Sequence, residues 1–200
     1  MRAGGRCHFL VHALAWRSDP RHSGWQLPDH TDDLLPYRKT LLPRMKTVRI
    51  LFICHGNICR SPMAEFVLKQ KVAERGLSAN FEIASAATSR EEIGNPVYPP
   101  ARRMLQAHGI SCAGKTARQM TRADYDYFDY IIAMDQNNMR NLQRIVGQDV
   151  DNKISLLMDY TDTPRDVADP WYTGNFQATW DDVQEGCEGL LDALKIDSQE

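Results

Sequence analysis

The chain has 200 residues, 42% of them hydrophobic and 25% charged, enough to bury one substantial core in a globular domain. A net charge of −2 and a pI near 6.3 argue against a nucleic-acid surface or an anionic membrane as partner, and no stretch has the roughly eighteen apolar residues of a spanning helix. The five cysteines, Cys7, Cys54, Cys59, Cys112 and Cys187, make no regular disulfide framework, which fits a reducing cytoplasm.

Residues 1–44 differ in kind from the rest: they hold four of the six histidines and four of the ten prolines and show no sustained period. They carry seven basic and four acidic residues, so that positions 45–200, with seventeen and twenty-two, are acidic. Arg2 and Arg6 ahead of Phe9–Trp16 faintly resemble a signal peptide, but His8 and His12 interrupt the apolar run and no cleavage pattern follows. Met45 stands directly before the first strand. The expectation is a domain over 45–200, with 1–44 a disordered extension or a mis-assigned start.

From Val48 the chain alternates strand-like and helix-like runs, the pattern of a parallel sheet with helices on its faces. Strands are expected at Val48–Ile53, Phe81–Ser85, Tyr130–Met134 and Lys153–Leu157. The first helix is expected over Pro62–Arg75, with Ser61 as its N-cap, Pro62 at the first helical position and Gly76 as the stop. Further helices are expected over Ala101–His108, Gln136–Val146 and Phe176–Leu194. No internal repeat appears.

Between the first strand and the first helix, Cys54 to Pro62 reads Cys-His-Gly-Asn-Ile-Cys-Arg-Ser-Pro. In an open α/β sheet this turn is where an anion meets a helix N-terminus. A thiol there, with a ring of backbone N–H groups and Arg60 six residues beyond, suits attack on a tetrahedral phosphate, and the positive surroundings favour the thiolate. Gly56 fits a position needing positive φ, Asn57 holds the loop by side-chain hydrogen bonds, and the Ser61 hydroxyl can donate to the thiolate. His55 reads as an exposed rim residue. Cys54, His55 and Cys59 do not suggest zinc, because the body offers only one further histidine, His108, and no second cysteine–histidine cluster.

This loop strongly resembles the signature Cys-x-Gly-Asn-x-Cys-Arg-Ser-Pro of the low-molecular-weight protein tyrosine phosphatases, and the resemblance spans roughly residues 47 to 195. That family also carries an Asp-Pro near the C-terminus, matched by Asp169-Pro170-Trp171-Tyr172. The resemblance implies a flavodoxin-like three-layer fold with a four-stranded parallel sheet, and hydrolysis of phosphotyrosine in proteins without metal or other cofactor. It implies that Cys54 forms a phosphocysteine, that Arg60 binds the phosphoryl oxygens, and that Asp169 serves as general acid and then base. His55, Gly56, Asn57, Ile58, Cys59 and Ser61 would surround the phosphate, with Trp171 and Tyr172 at the pocket mouth. Ser85 and His108 match a strand-end serine and a histidine of a supporting hydrogen-bond network. Cys54 and Cys59 would form a reversible disulfide under peroxide.

The sequence departs from the family at Tyr98-Pro99-Pro100, where many members have Asp-Pro-Arg, and at Glu91, where animal members have an aromatic wall residue. The first puts an anchoring contact in doubt; the second predicts a more acidic rim. Three rivals are weaker. Arsenate reductases of this fold need two further cysteines around the third strand, where the chain reads Tyr130-Ile-Ile-Ala-Met-Asp135. Phosphoarginine phosphatases resemble the chain except for a threonine where Ile58 stands, and an apolar wall suits a phenyl ring better. A non-catalytic phosphate-binding module would not be expected to keep Cys54, Arg60 and Asp169 together. Tyrosine-phosphorylated proteins are the expected partners; the oligomeric state is not legible.

Overall fold

The computed structural model describes residues 47–194. The expected extension 1–44 and its boundary at Met45 lie outside them.

Four strands, β1 (Val48–Cys54), β2 (Phe81–Ala87), β3 (Tyr130–Ala133) and β4 (Ile154–Leu156), form one parallel sheet in the order β2-β1-β3-β4. β1 is central, and its register places Cys54 opposite Ala87 at the carboxyl edge. The run Ile50-Leu51-Phe52-Ile53 is wholly buried because helices cover both sheet faces, so apolar residues need not alternate with polar ones.

Ile50, Phe52 and Cys54 face α1 (Arg60–Glu74), α2 (Pro99–Ala107) and α6 (Phe176–Ala193) through Met63, Val67, Leu105, Val183 and Leu190. Leu51 and Ile53 face α3 (Arg122–Tyr127) and α4 (Gln136–Val146) through Tyr125, Phe128 and Leu142. This is the flavodoxin-like three-layer fold that the resemblance implies. α6 approaches the turn after β4 closely: a Cβ on Gly189 would fall 2.0 Å from the Tyr160 carbonyl oxygen, so only glycine fits there. α5 (Pro170–Thr173) is a single turn.

Several local expectations are corrected. α1 starts at Arg60 with Cys59 as N-cap, so Ser61 is no cap and Pro62 is the third helical residue. Starting earlier pulls Arg60 and Ser61 into the first turn, beside the end of β1. α2 begins at Pro99, whose fixed φ suits a first helical position. At the doubtful Tyr98, its N–H donates to the Ile58 carbonyl at 2.8 Å and its carbonyl accepts from Arg102 N, so this start has its own anchor. α3 was not expected, although Thr121 and Asp124 form a reciprocal capping box that the spacing Thr-x-x-Asp signals.

Candidate active site

The order β2-β1-β3 places a topological switch at the carboxyl end of β1, where an open α/β sheet forms its crevice. Cys54, His55, Gly56, Ile58, Cys59 and Arg60 line one pocket there, together with Glu91, Glu92, Asp169, Trp171 and Tyr172.

The loop is held from beneath by a buried polar chain. Asn57 has φ of +58°, so the left-handed position belongs to it and not to Gly56 as expected. An asparagine tolerates this region, and its side chain locks it. Gly56 is small for another reason: a Cβ there would sit 3.0 Å from Glu92 Cγ. Asn57 N–H donates to Cys54 Sγ at 3.3 Å, and Asn57 Nδ2 donates to both Ser61 Oγ and Ser85 Oγ at 2.8 Å. Asn57 Oδ1 accepts from Arg118 N at 3.3 Å.

Proton directions follow from the far end of this chain. Ser85 Oγ donates to the Glu65 carboxylate at 2.6 Å, so Ser85 can only accept from Asn57. Ser61, which accepts the other Asn57 proton, keeps its own hydroxyl proton for Cys54 Sγ at 3.0 Å. The hydroxyl is thus oriented to stabilise a thiolate.

Glu65, 4% exposed, also meets Lys115 Nζ at 2.9 Å and Lys69 Nζ at 2.5 Å. Burial pushes its carboxyl up, but Lys115, Lys69 and the Ser85 hydroxyl outweigh that and hold it below the usual range. Lys115 donates to the Ser85 carbonyl as well, at 3.0 Å. Sequence reasoning missed both Glu65 and Lys115. The available signal was a carboxylate inside the apolar run Met63-Ala64-Glu65-Phe66-Val67. His108 was expected in this network. It lies instead stacked on Trp180, with ring centroids 3.9 Å apart, because α2 ends beside α6 and not beneath the loop.

Arg60 is 4% exposed and is shared between two carboxylates, Asp135 Oδ2 on Nη1 and Asp169 Oδ2 on Nη2, each at 2.6 Å. Burial opposes its charge, but Cys54, Asp169 and Asp135 together raise its pKa, so it stays cationic. Asp135 was not foreseen as a site residue. It follows β3 and caps α4, accepting from Asn138 N at 2.6 Å with its other oxygen.

Asp169 caps α5, accepting from Trp171 N at 3.0 Å, so the Asp-Pro pair opens a helical turn. Trp171, 57% exposed, packs on Tyr98 with centroids 5.4 Å apart, while Tyr172 is 86% exposed. His55 Nε2 meets Glu91 Oε2 at 3.0 Å on the rim, which carries Glu91 and Glu92. Burial, and then the Cys54 charge, push the Cys59 thiol up to about 12. Among the described residues no cluster of three or more histidines, cysteines and carboxylates could hold a metal ion, and no helix is long and apolar enough to cross a membrane.

Comparison with known proteins agrees with this geometry. The sequence profile described as Low molecular weight phosphotyrosine protein phosphatase matches residues 49–200. Low molecular weight protein-tyrosine-phosphatase YfkJ of Bacillus subtilis is 40% identical over 154 residues, covering 76% of this chain and 99% of its own. Its crystal structure superposes with a TM-score of 0.74 over 78% of this chain and 99% of that one. The human low molecular weight phosphotyrosine protein phosphatase is 38% identical, covering 73% and 95%. A solved Drosophila arginine phosphatase, 31% identical, covers 74% of this chain and 98% of its own with a TM-score of 0.68. The chain belongs to the low molecular weight phosphotyrosine protein phosphatase family.

Proposed function

We propose that the family's activity, hydrolysis of phosphotyrosine monoesters, is carried in this chain by Cys54, Arg60 and Asp169. The observation that supports it is the meeting of all three in one pocket, with Arg60 in contact with Asp169 and Ser61 hydrogen-bonded to Cys54. In the first step the Cys54 thiolate attacks phosphorus, the bond to the phenol oxygen breaks, and Asp169 gives that oxygen its proton. In the second step Asp169, now a carboxylate, takes a proton from water. The resulting hydroxide attacks phosphorus, and phosphate leaves with return of the thiolate. Arg60 and the first-turn N–H groups of α1, which no side chain caps, hold the equatorial oxygens.

The substrate reading is phosphotyrosine in proteins. Ile58, buried with Cys59 and Ala117 beside the loop, gives the pocket an apolar wall for a phenyl ring, which favours this over phosphoarginine. Trp171 and Tyr172 add aromatic surface at the mouth. The test is hydrolysis of p-nitrophenyl phosphate in EDTA. Cys54→Ser should abolish it, Asp169→Ala should lower hydrolysis of phenyl phosphate, whose leaving group needs the acid, by orders of magnitude, and vanadate should block the wild type. A folded wild type without activity would point to a phosphate-binding module or an unusual substrate.

A cytoplasmic location and redox sensitivity belong to the same proposal. Peroxide would oxidise Cys54 to the sulfenic acid, and Cys59 would displace its hydroxyl to give the disulfide and water. Burial raises the Cys59 thiol whether or not Cys54 is charged, so disulfide closure at neutral pH should quicken as pH rises and the Cys59 thiolate fraction grows. A closure rate independent of pH, followed by thiol counting, would argue against Cys59 as the partner.

A further inference from the structure

The loop that carries Asp169 is tied to α6 by a set of contacts that the reaction itself does not use. Ala168, the residue before Asp169, has its peptide groups fixed on both sides: its N–H donates to Asp182 Oδ2 at 2.8 Å, and its carbonyl accepts from Thr179 Oγ1 at 2.8 Å. Thr179 and Asp182 are three residues apart on α6, so they emerge on one helix face, and both are buried. The other Asp182 oxygen accepts from Arg165 Nη2 at 2.7 Å and Nε at 3.2 Å. Arg165 also donates to Glu185 Oε2 at 2.6 Å and to the Thr163 hydroxyl and carbonyl.

The segment from Thr163 to Asp169 is thus folded back on one carboxylate. Its other side is fixed where Val167 N donates to the Met134 carbonyl at 2.8 Å and the Val167 side chain enters the core. The Asp169 side chain itself meets Trp171 N and Arg60. We propose that Asp182, with Arg165 and Thr179, is a positioning residue that sets where the Asp169 carboxyl delivers its proton. This rests on the reading of Asp169 as the proton donor. A general acid must lie within hydrogen-bond reach of the leaving oxygen, and the position of its main chain decides that reach.

The test separates positioning from plain stability by leaving group. p-Nitrophenolate departs with little protonation, whereas phenol needs the acid. In the full chain, Asp182→Ala lowers kcat/KM for phenyl phosphate by about 10- to 100-fold, the scale of an ångström-sized misplacement, and lowers it far less for p-nitrophenyl phosphate. Arg165→Met and Thr179→Val, which each cut fewer ties, show the same selectivity to a smaller degree and serve if Asp182→Ala does not fold. An equal loss on both substrates, or none, overturns the proposal. Asp169→Ala is run beside them. If it is selective for phenyl phosphate and the α6 variants are not, the positioning role fails and the acid stands. If Asp169→Ala is not selective either, the assignment of the acid fails.

Discussion

Arg60 Nη2 and Asp169 Oδ2 lie 2.6 Å apart, while the other arm of the same guanidinium is held by Asp135. The residue assigned to hold the phosphoryl oxygens and the residue assigned to protonate the leaving group therefore share one charge. A phosphoryl dianion reaching Arg60 competes with the Asp169 carboxylate for it.

Asp169→Ala is accordingly expected to act in two opposite directions. It removes the acid, costing about 10²- to 10⁴-fold in kcat/KM with phenyl phosphate. It also removes a like charge next to the bound anion, so vanadate should inhibit the variant at lower concentration than the wild type. Inhibition constants for both proteins decide this, and weaker vanadate binding by the variant would contradict the shared-charge account.

Glu65 and Lys115 set the base of the loop, and the pH dependence follows in sign from the lowered Glu65 carboxyl. A carboxyl depressed in the folded state stabilises the fold above its unfolded value, about 4.3, and that contribution is lost as pH falls below it. Lys115→Met should cost about 1–3 kcal/mol at pH 7, because the buried carboxylate loses one of its two lysines and keeps Lys69 and Ser85. Urea unfolding should show the gap to wild type narrowing as pH drops below the ordinary carboxylate range, where Glu65 takes up a proton. A gap that stays constant with pH would mean that the pair contributes packing only.

The rim carries Glu91 and Glu92 with His55. Phosphotyrosine peptides with a basic residue beside the phosphotyrosine should be hydrolysed with higher kcat/KM than acidic ones. Added salt should reduce the preference, since these charges are exposed and screened. Glu91→Gln should cut the ratio by about two- to fivefold, the range of a single exposed charge pair. An unchanged ratio would assign selectivity to Trp171 and Tyr172 instead.

Much of the fold was legible because Ile50–Cys54 of β1 is buried on both faces and reads as an unbroken apolar run, and because Gly76 and Gly147 stop their helices. The loop was legible through residue types whose chemistry is local: a thiol, an arginine and a helix start within nine positions. What escaped depends on partners brought from afar. Asp135 contacts Arg60 across 75 positions, and Glu65 meets Ser85 across 20, so neither sequence neighbourhood announces a role. His108 sits in a sequence context that fits the supporting network, but α2 delivers it to Trp180. Gly56 and Asn57 exchanged their expected reasons, because the side-chain hydrogen bonds of Asn57 make the left-handed conformation tenable while Glu92 crowds Gly56.

The most direct test of the account is to trap the covalent intermediate. Wild-type chain is mixed with excess p-nitrophenyl phosphate, quenched in acid within milliseconds, and the phosphorylated peptide is sequenced by mass. The account predicts phosphate on Cys54 alone, accumulating in the Asp169→Ala protein if loss of the base slows hydrolysis of the intermediate more than loss of the acid slows its formation. Phosphate on another residue, or turnover by a fully active enzyme with Cys54 replaced by serine, would contradict it.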